Sequence, residues 1–231
     1  MPRVNEVYGT AVATLPVRSV QTYGGSTLLY PVDVAIDRVP TANRFWAIPV
    51  LGYAVKSIIL IPHMLALIIL AFVVALVQYI VWIPVLLTGR YPEWAFSLTA
   101  GTLRWSVRVS AYVFGLTDRY PPFGLGGEAE PNGPYPVRLA IERQMTYNRG
   151  WAIPVLGGLV KYMIVIPHMI ILYFLVLVVI LVQLALWVSV LFTGRYPNWG
   201  HELVGGYIRW SVRLSAFLFG LTDRYPPFEM A

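Results

Sequence analysis

Two histidines, His63 and His168, sit in the same four letters, "IPHM" at 61–64 and 166–169, inside long apolar runs. Imidazoles at matched positions on membrane helices could clamp a haem or ligate a pigment, provided that their helices face one another at one depth. Their other reading is an interfacial histidine whose polar edge meets headgroups or a backbone carbonyl. Four arginines form a second set, Arg104, Arg108, Arg209 and Arg213, in two copies of "RWSVR". At 100° per residue, Ser97, Gly101, Arg104, Arg108, Ala111 and Gly115 fall on one narrow helical stripe, matched by Glu202, Gly206, Arg209, Arg213, Ala216 and Gly220. Guanidiniums so aligned could bind an anion or a lipid headgroup. The stripe is also what a helix–helix seam looks like, with small residues admitting a neighbour and arginines reaching carbonyls or lipid phosphate.

The third recurrent feature is the octapeptide "LTDRYPPF", at 116–123 and 221–228. Asp118, Arg119 and Tyr120, with Asp223, Arg224 and Tyr225, form a candidate interface motif there. The Pro pairs cannot continue a helix and push the preceding Tyr toward extended backbone. Asp can bond nearby backbone at a turn, and Arg-Tyr suits a headgroup zone. No catalytic set accompanies these groups. A Gly-rich phosphate loop, a His-Glu-x-x-His helix and a Gly-x-Ser-x-Gly elbow are all missing. The expectation is a chain that is not an enzyme, with no resident metal or cofactor unless the histidines hold haem or pigment.

These residues are positioned by one unit written twice. Shifted by 105 residues the sequence overlays itself without a gap, and 58 of 94 positions agree between Tyr30–Phe123 and Tyr135–Phe228. Repetition of this kind points to duplication and fusion. The organisation is therefore an N-terminal segment (1–29), a first membrane repeat (30–123), a Gly/Pro-rich acidic linker (124–134) and a second repeat (135–231). Each repeat opens with an alternating stretch, "YPVDVAIDR" or "YPVRLAIER", the period of a half-buried strand. A long apolar helix follows, ending near Gly89 or Gly194, and then the Arg-bearing helix over 93–117 and its copy.

Composition sets the environment. The chain is 58% hydrophobic and only 12% charged, against about 25% charged in ordinary globular proteins. The stretches 57–88 and 162–193 contain no Asp, Glu, Lys or Arg, and about 20 apolar residues suffice to cross a bilayer. The fold expected is a mainly α, integral membrane protein of two tandem units, each a short strand, a long transmembrane helix and an Arg-bearing amphipathic or transmembrane helix. The first 29 residues lack the apolar core of a signal peptide, so the first span is expected to direct insertion. With no cysteine, disulfides and thiolate chemistry are excluded. Net charge +6 comes from residues flanking the spans, which points to lipid rather than nucleic acid.

An acidic linker cannot cross a bilayer, and near-identical copies should insert in the same orientation. Each unit then crosses an even number of times. The simplest solution has four spans, the long helix going out and the Arg helix returning, with both termini cytoplasmic. Its cost is an Arg near mid-span, about 2.5–3.5 kcal/mol each on insertion scales. A rival solution bends 45–88 into a hairpin near Pro49 or Pro62 and leaves the Arg helix at the interface.

The motif set "IPH", "LTGRYP", "RWSVRV" and "LTDRYPPF" resembles a bacterial membrane-protein family catalogued only as a domain of unknown function, whose members carry the unit once or in tandem. The resemblance implies a bacterial inner-membrane protein and transfers no site residues. The expectation that follows is a scaffold, anchor or accessory subunit touching lipids and other membrane subunits, or further copies of itself. Two alternatives remain beside it: a small anion channel or transporter, and a haem or pigment subunit.

Overall fold

The computed structural model describes residues 30–39, 41–48, 50–126 and 135–230. The N-terminal segment and most of the linker lie outside the described residues. Among these, four α-helices and two strands repeat one pattern. Strand β1 (Val32–Ile36) and a 3₁₀ turn (Arg44–Ala47) lead into α1 (Leu51–Thr88) and α2 (Glu93–Val113). Strand β2 (Val137–Ile141), a second 3₁₀ turn (Arg149–Ala152), α3 (Leu156–Thr193) and α4 (Asn198–Leu218) follow.

The alternating stretches do form strands, and they pair with each other across the two copies. β1 and β2 are antiparallel, with Val34 opposite Leu139 at the centre. Val32, Val34, Val137 and Leu139 are buried on one face. The other face carries Asp33, Asp37 and Arg138, and Arg138 grips Asp37 with two hydrogen bonds of 2.7 and 2.8 Å.

Helix α1 is unbroken over 38 residues and contains Pro62 and Pro84. A hairpin bent at Pro62 is therefore not what forms; Pro49 lies outside the described residues. Gly89 and Gly194 stop the long helices with φ of 69° and 68°, a left-handed cap that costs glycine little. Near the opposite ends, Gly52 and Gly157 lie directly against the carbonyls of Trp46 and Trp151, where no Cβ fits.

The two copies run antiparallel to one another within the bundle. The start of the first unit meets the end of α3, where Ala42 N–H donates to Gly194 O at 2.8 Å. Tyr147 N–H donates to Gly89 O in the mirror position. Tyr53 of α1 packs on Trp187 of α3, ring centroids 5.9 Å apart. Likewise Tyr196, beside the start of α4, bonds Phe114 O at the end of α2. A pseudo-twofold thus passes through the sheet and across the helices.

α2 and α4 form the middle of the molecule. The sheet packs on both of them and on neither long helix, while α1 packs on α2 and α3 on α4. Arg104, next to the midpoint of α2, donates to the carbonyl of Leu139, the central residue of β2. The charged sheet consequently lies over the middle of the helices, not at one end. Leu139 is 2% exposed and faces the core from both copies' shared sheet. Truncation to Ala should cost about 2–5 kcal/mol, read as a lowered Tm by circular dichroism on the detergent-solubilised protein; an unchanged Tm would mean that the sheet is dispensable.

Candidate functional site

His63 and His168 each sit in a closed cluster within their own copy. His63 Nδ1 accepts a hydrogen bond from the Trp105 indole at 2.8 Å, and His168 Nδ1 accepts one from Trp210 at 2.9 Å. Phe123 stacks on His63 at 3.8 Å between centroids and Phe228 on His168 at 3.7 Å. Tyr120 and Tyr225 meet the same rings edge-on, and their hydroxyls donate to Ile59 O and Ile164 O. Both imidazoles are fully buried. The histidines, the "RWSVR" tryptophans and the aromatic ends of "LTDRYPPF" are therefore one construction. The Pro pairs hold the segment after α2 extended, so that it turns back along α1 and its Tyr and Phe close over the ring.

That hydrogen bond fixes the tautomer. A neutral imidazole whose Nδ1 accepts from an indole must carry its proton on Nε2, so neither nitrogen offers a lone pair to iron without breaking the indole bond. His63 and His168 also belong to separate clusters, each with its own Trp, Tyr and Phe. The arrangement does not fit a haem or pigment clamp. It locks α2 to α1, and α4 to α3.

The rest of the octapeptide ties the ends together. Asp118 accepts from Asn43 N–H at 2.5 Å and Asp223 from Asn148 N–H at 2.6 Å. Burial raises the Asp223 carboxyl above its usual range, opposed by the Asn148 amide and the nearby Lys161 ammonium. The carbonyls of Arg119 and Arg224 accept from Tyr135 and Tyr30, which flank the strands. The Arg119 and Arg224 side chains remain exposed.

All four stripe arginines are engaged. Arg104 bonds the sheet, and Arg209 donates to Met230 O at 3.1 Å. Arg108 lies against the backbone of Gly126. Arg213, 7% exposed, faces Glu229 at 3.8 Å and covers the Tyr30 ring. The small residues of the stripe admit chain segments rather than a helix: Gly101 contacts Leu125 and Gly206 contacts Met230. The stripe serves as a seat for the sheet and the two trailing segments.

Two residues escaped the sequence reading as site residues. Lys56 and Lys161 are 4% and 6% exposed. Lys56 donates to Tyr112 O and lies over the rings of Tyr112 and Trp46, with Asp118 at 3.8 Å. Lys161 repeats this with Phe217 and Trp151. Desolvated cation–π contacts of this kind contribute about 2 kcal/mol. The available signal was a lysine ten residues after each "WAIPVLG" tryptophan.

Substituting Trp105→Phe should leave the buried His63 Nδ1 unpaired and cost about 1–3 kcal/mol. Adding His63→Leu should recover part of that loss, since no polar group is then stranded, and Trp210→Phe should add independently. Thermal denaturation of the three single variants and of the two double variants checks this; full additivity of Trp105→Phe with His63→Leu would deny the bond.

The sequence family described as "Domain of unknown function (DUF4389)" matches residues 52–124 and 158–229. Comparison with curated proteins and with solved structures gives no match. The two matched segments begin just inside α1 and α3 and end at the segments that cover the histidines. Covering more than half of the sequence, they establish that the chain belongs to this family and carries its domain twice in tandem.

Proposed function

We propose that the chain is a non-enzymatic membrane protein whose helices lie along one leaflet, with the sheet facing water. The observation that carries this reading is the position of the charged sheet over the midpoints of α2 and α4. If the helices crossed a bilayer upright, Asp33, Asp37 and Arg138 would sit at its centre together with the stripe arginines. Each charge there is costly. Laid flat, the same fold puts the sheet outside and α1 and α3, on the far side of α2 and α4, in hydrocarbon.

Three further features support it. Among the described residues, α1 and α3 are the two helices long and apolar enough to cross a membrane, yet only 17% and 22% of their most apolar stretches are buried in the fold. A core helix would be covered. At 38 residues each they run about 57 Å, far beyond a hydrocarbon core of about 30 Å, and the tilt needed to fit exceeds the usual range. Lastly, the pseudo-twofold gives both ends of the bundle the same charge: Arg38, Arg44 and Arg195 at one, Arg143, Arg149 and Arg90 at the other. The positive-inside rule then prefers neither end, whereas a flat molecule offers both to one anionic surface, that of the cytoplasmic leaflet.

In this reading the protein is a scaffold, anchor or accessory subunit of an inner membrane, holding lipids and presenting its flanks to other membrane subunits or further copies. The basic residues serve headgroups and not nucleic acid. A cysteine-free sequence allows a direct test with Asp33→Cys, Glu93→Cys and Asn198→Cys, all exposed, and an impermeant maleimide applied to each side of sealed membranes. All three should label from the cytoplasmic side alone. Asp33 labelling opposite the other two would restore four parallel spans. Glu93 and Asn198 labelling on opposite sides would mean inverted spans, and release of the protein by alkaline carbonate would end the membrane reading.

A further inference from the structure

The two ends of the bundle are equivalent by symmetry but differ in filling. At the end formed by β2, α2 and the segment after α4, Tyr147 is buried against Tyr91, ring centroids 5.5 Å apart. Gln144 lies beside it, donating to Thr222 Oγ1 at 3.3 Å and accepting from Asp223 N–H at 3.2 Å. At the other end the same places, 105 residues earlier, hold Ala42 and Val39. There a cavity of about 220 Å³ opens, lined by Arg38, Arg195, Asn198 and His201 among others, with Thr117 and Asp118 on its wall. Thr117 and Asp118 are the counterparts of the two residues that Gln144 binds. The filled end thus displays what the open end lacks: a planar polar group on a backbone amide and a hydroxyl.

The open end has also changed sign and polarity. Asn198 stands where the filled end has Glu93, and His201 where it has Phe96. α4 starts at this cavity with no side-chain cap and no acid in its first turn, so its uncapped N–H groups and dipole favour an anion. Independently, His201 is 8% exposed and its Nε2 has no partner among the described residues. Burial and the nearby Arg38 and Arg209 lower its basicity, partly opposed by Glu202 and by a hydrogen bond to the Asp37 backbone; with the Nδ1 proton on that carbonyl, a neutral ring presents Nε2 as an acceptor for a phosphate hydroxyl. Arg38 does meet Glu202 at 2.7 Å, but both side chains are more than half exposed, a pairing worth little. The Asp118 carboxylate is already engaged by Asn43 N–H and Lys56.

We propose that this cavity binds a phosphate group, with Arg38, Arg195 and His201 as its ligands and the first turn of α4 beneath it. A narrow slot lined by Trp46, Tyr53 and Trp187 adjoins the cavity, sharing Ala42, Gly115, Asp118 and Tyr196 with it. That slot holds only about 20 Å³, room for no more than a water, so the polar cavity recognises the phosphate group itself, whether on a soluble monoester or on a lipid headgroup.

The test uses the full chain in phosphatidylcholine nanodiscs. Binding of sn-glycerol phosphate is measured by calorimetry, and retention of phosphatidic acid doped into the disc by native mass spectrometry. The decisive variant is Val39→Gln with Ala42→Tyr, which rebuilds the filled end; His201→Phe and Arg195→Gln are milder and leave the cavity in place. The wild type should bind, with affinity falling at least about tenfold, or 1.4 kcal/mol, in the filled variant and measurably in the other two. Binding of the soluble monoester assigns a free phosphate, and retention of phosphatidic acid alone assigns a lipid headgroup. No binding of either probe by the wild type overturns the proposal. So does undiminished binding by all three variants, each checked for an unchanged Tm. None of these outcomes depends on how the helices lie in the membrane.

Discussion

The antiparallel pairing of β1 with β2 is the constraint from which the rest of the structure follows. A strand of five residues has no stable partner within its own unit, and two such strands bury their apolar faces only by lying side by side on α2 and α4. An antiparallel pair forces a twofold across the strands, and the helices packed beneath inherit it. Each unit's first 3₁₀ turn then lands on the far end of the other unit's long helix, where Ala42 meets Gly194 and Tyr147 meets Gly89. Two units interlocked at both ends and in the middle behave as one body. That is a physical reason for carrying the domain as a tandem within one chain.

Within each unit a second constraint acts locally. α2 packs along one side of the Lys56–His63 stretch of α1, so His63 would stay open on its other side if the chain simply departed after α2. The Pro pair of "LTDRYPPF" keeps the backbone extended, and Tyr120 and Phe123 are delivered to the His63 ring that α2 has already bonded through Trp105. A buried imidazole needs a partner for its acceptor nitrogen, and the indole supplies it. The octapeptide recurs because the same closure is needed twice.

Much of this was legible in the letters. The repeat, the strand-forming alternation, the apolar length of α1 and α3 and the glycine caps follow from local periodicity and turn chemistry, which act over a few residues. The relative direction of the two copies was not legible. Both copies carry arginines at matching positions, so a charge pattern that would orient one unit says nothing of how it meets a second. The His63–Trp105 bond joins residues 42 apart on antiparallel helices, and only the register of the α1–α2 pair brings them together. The arginine stripe was visible as a stripe, but its occupant was not: Gly101 and Gly206 accept Leu125 and Met230 from irregular segments that have no periodicity to announce them. Lys56 and Lys161 read as flanking charges because their spacing from Trp46 and Trp151 marks only one wall of each aromatic box; the other wall comes from the distant ends of α2 and α4.

Where the copies differ, the differences are grouped by the fold and not by the sequence. The second copy has Arg138 and Glu142 where the first has Asp33 and Asp37, and the Asp37–Arg138 pair exists only because one copy kept an acid where the other gained a base. Two identical first copies would set Asp37 near another Asp33, with like charges where the fused chain has an ion pair. The same logic separates the two ends. Gln144 and Tyr147 arrive from the loop after β2, Glu93 and Phe96 from the start of α2, and the four converge only through the interlock, with Val39, Ala42, Asn198 and His201 converging at the opposite end. A homodimer of either copy would have two identical ends, each joining one half of the filled end to one half of the open one. Fusion is what permits a twofold scaffold to keep one end packed on its own side chains while the other is free to accept something from outside.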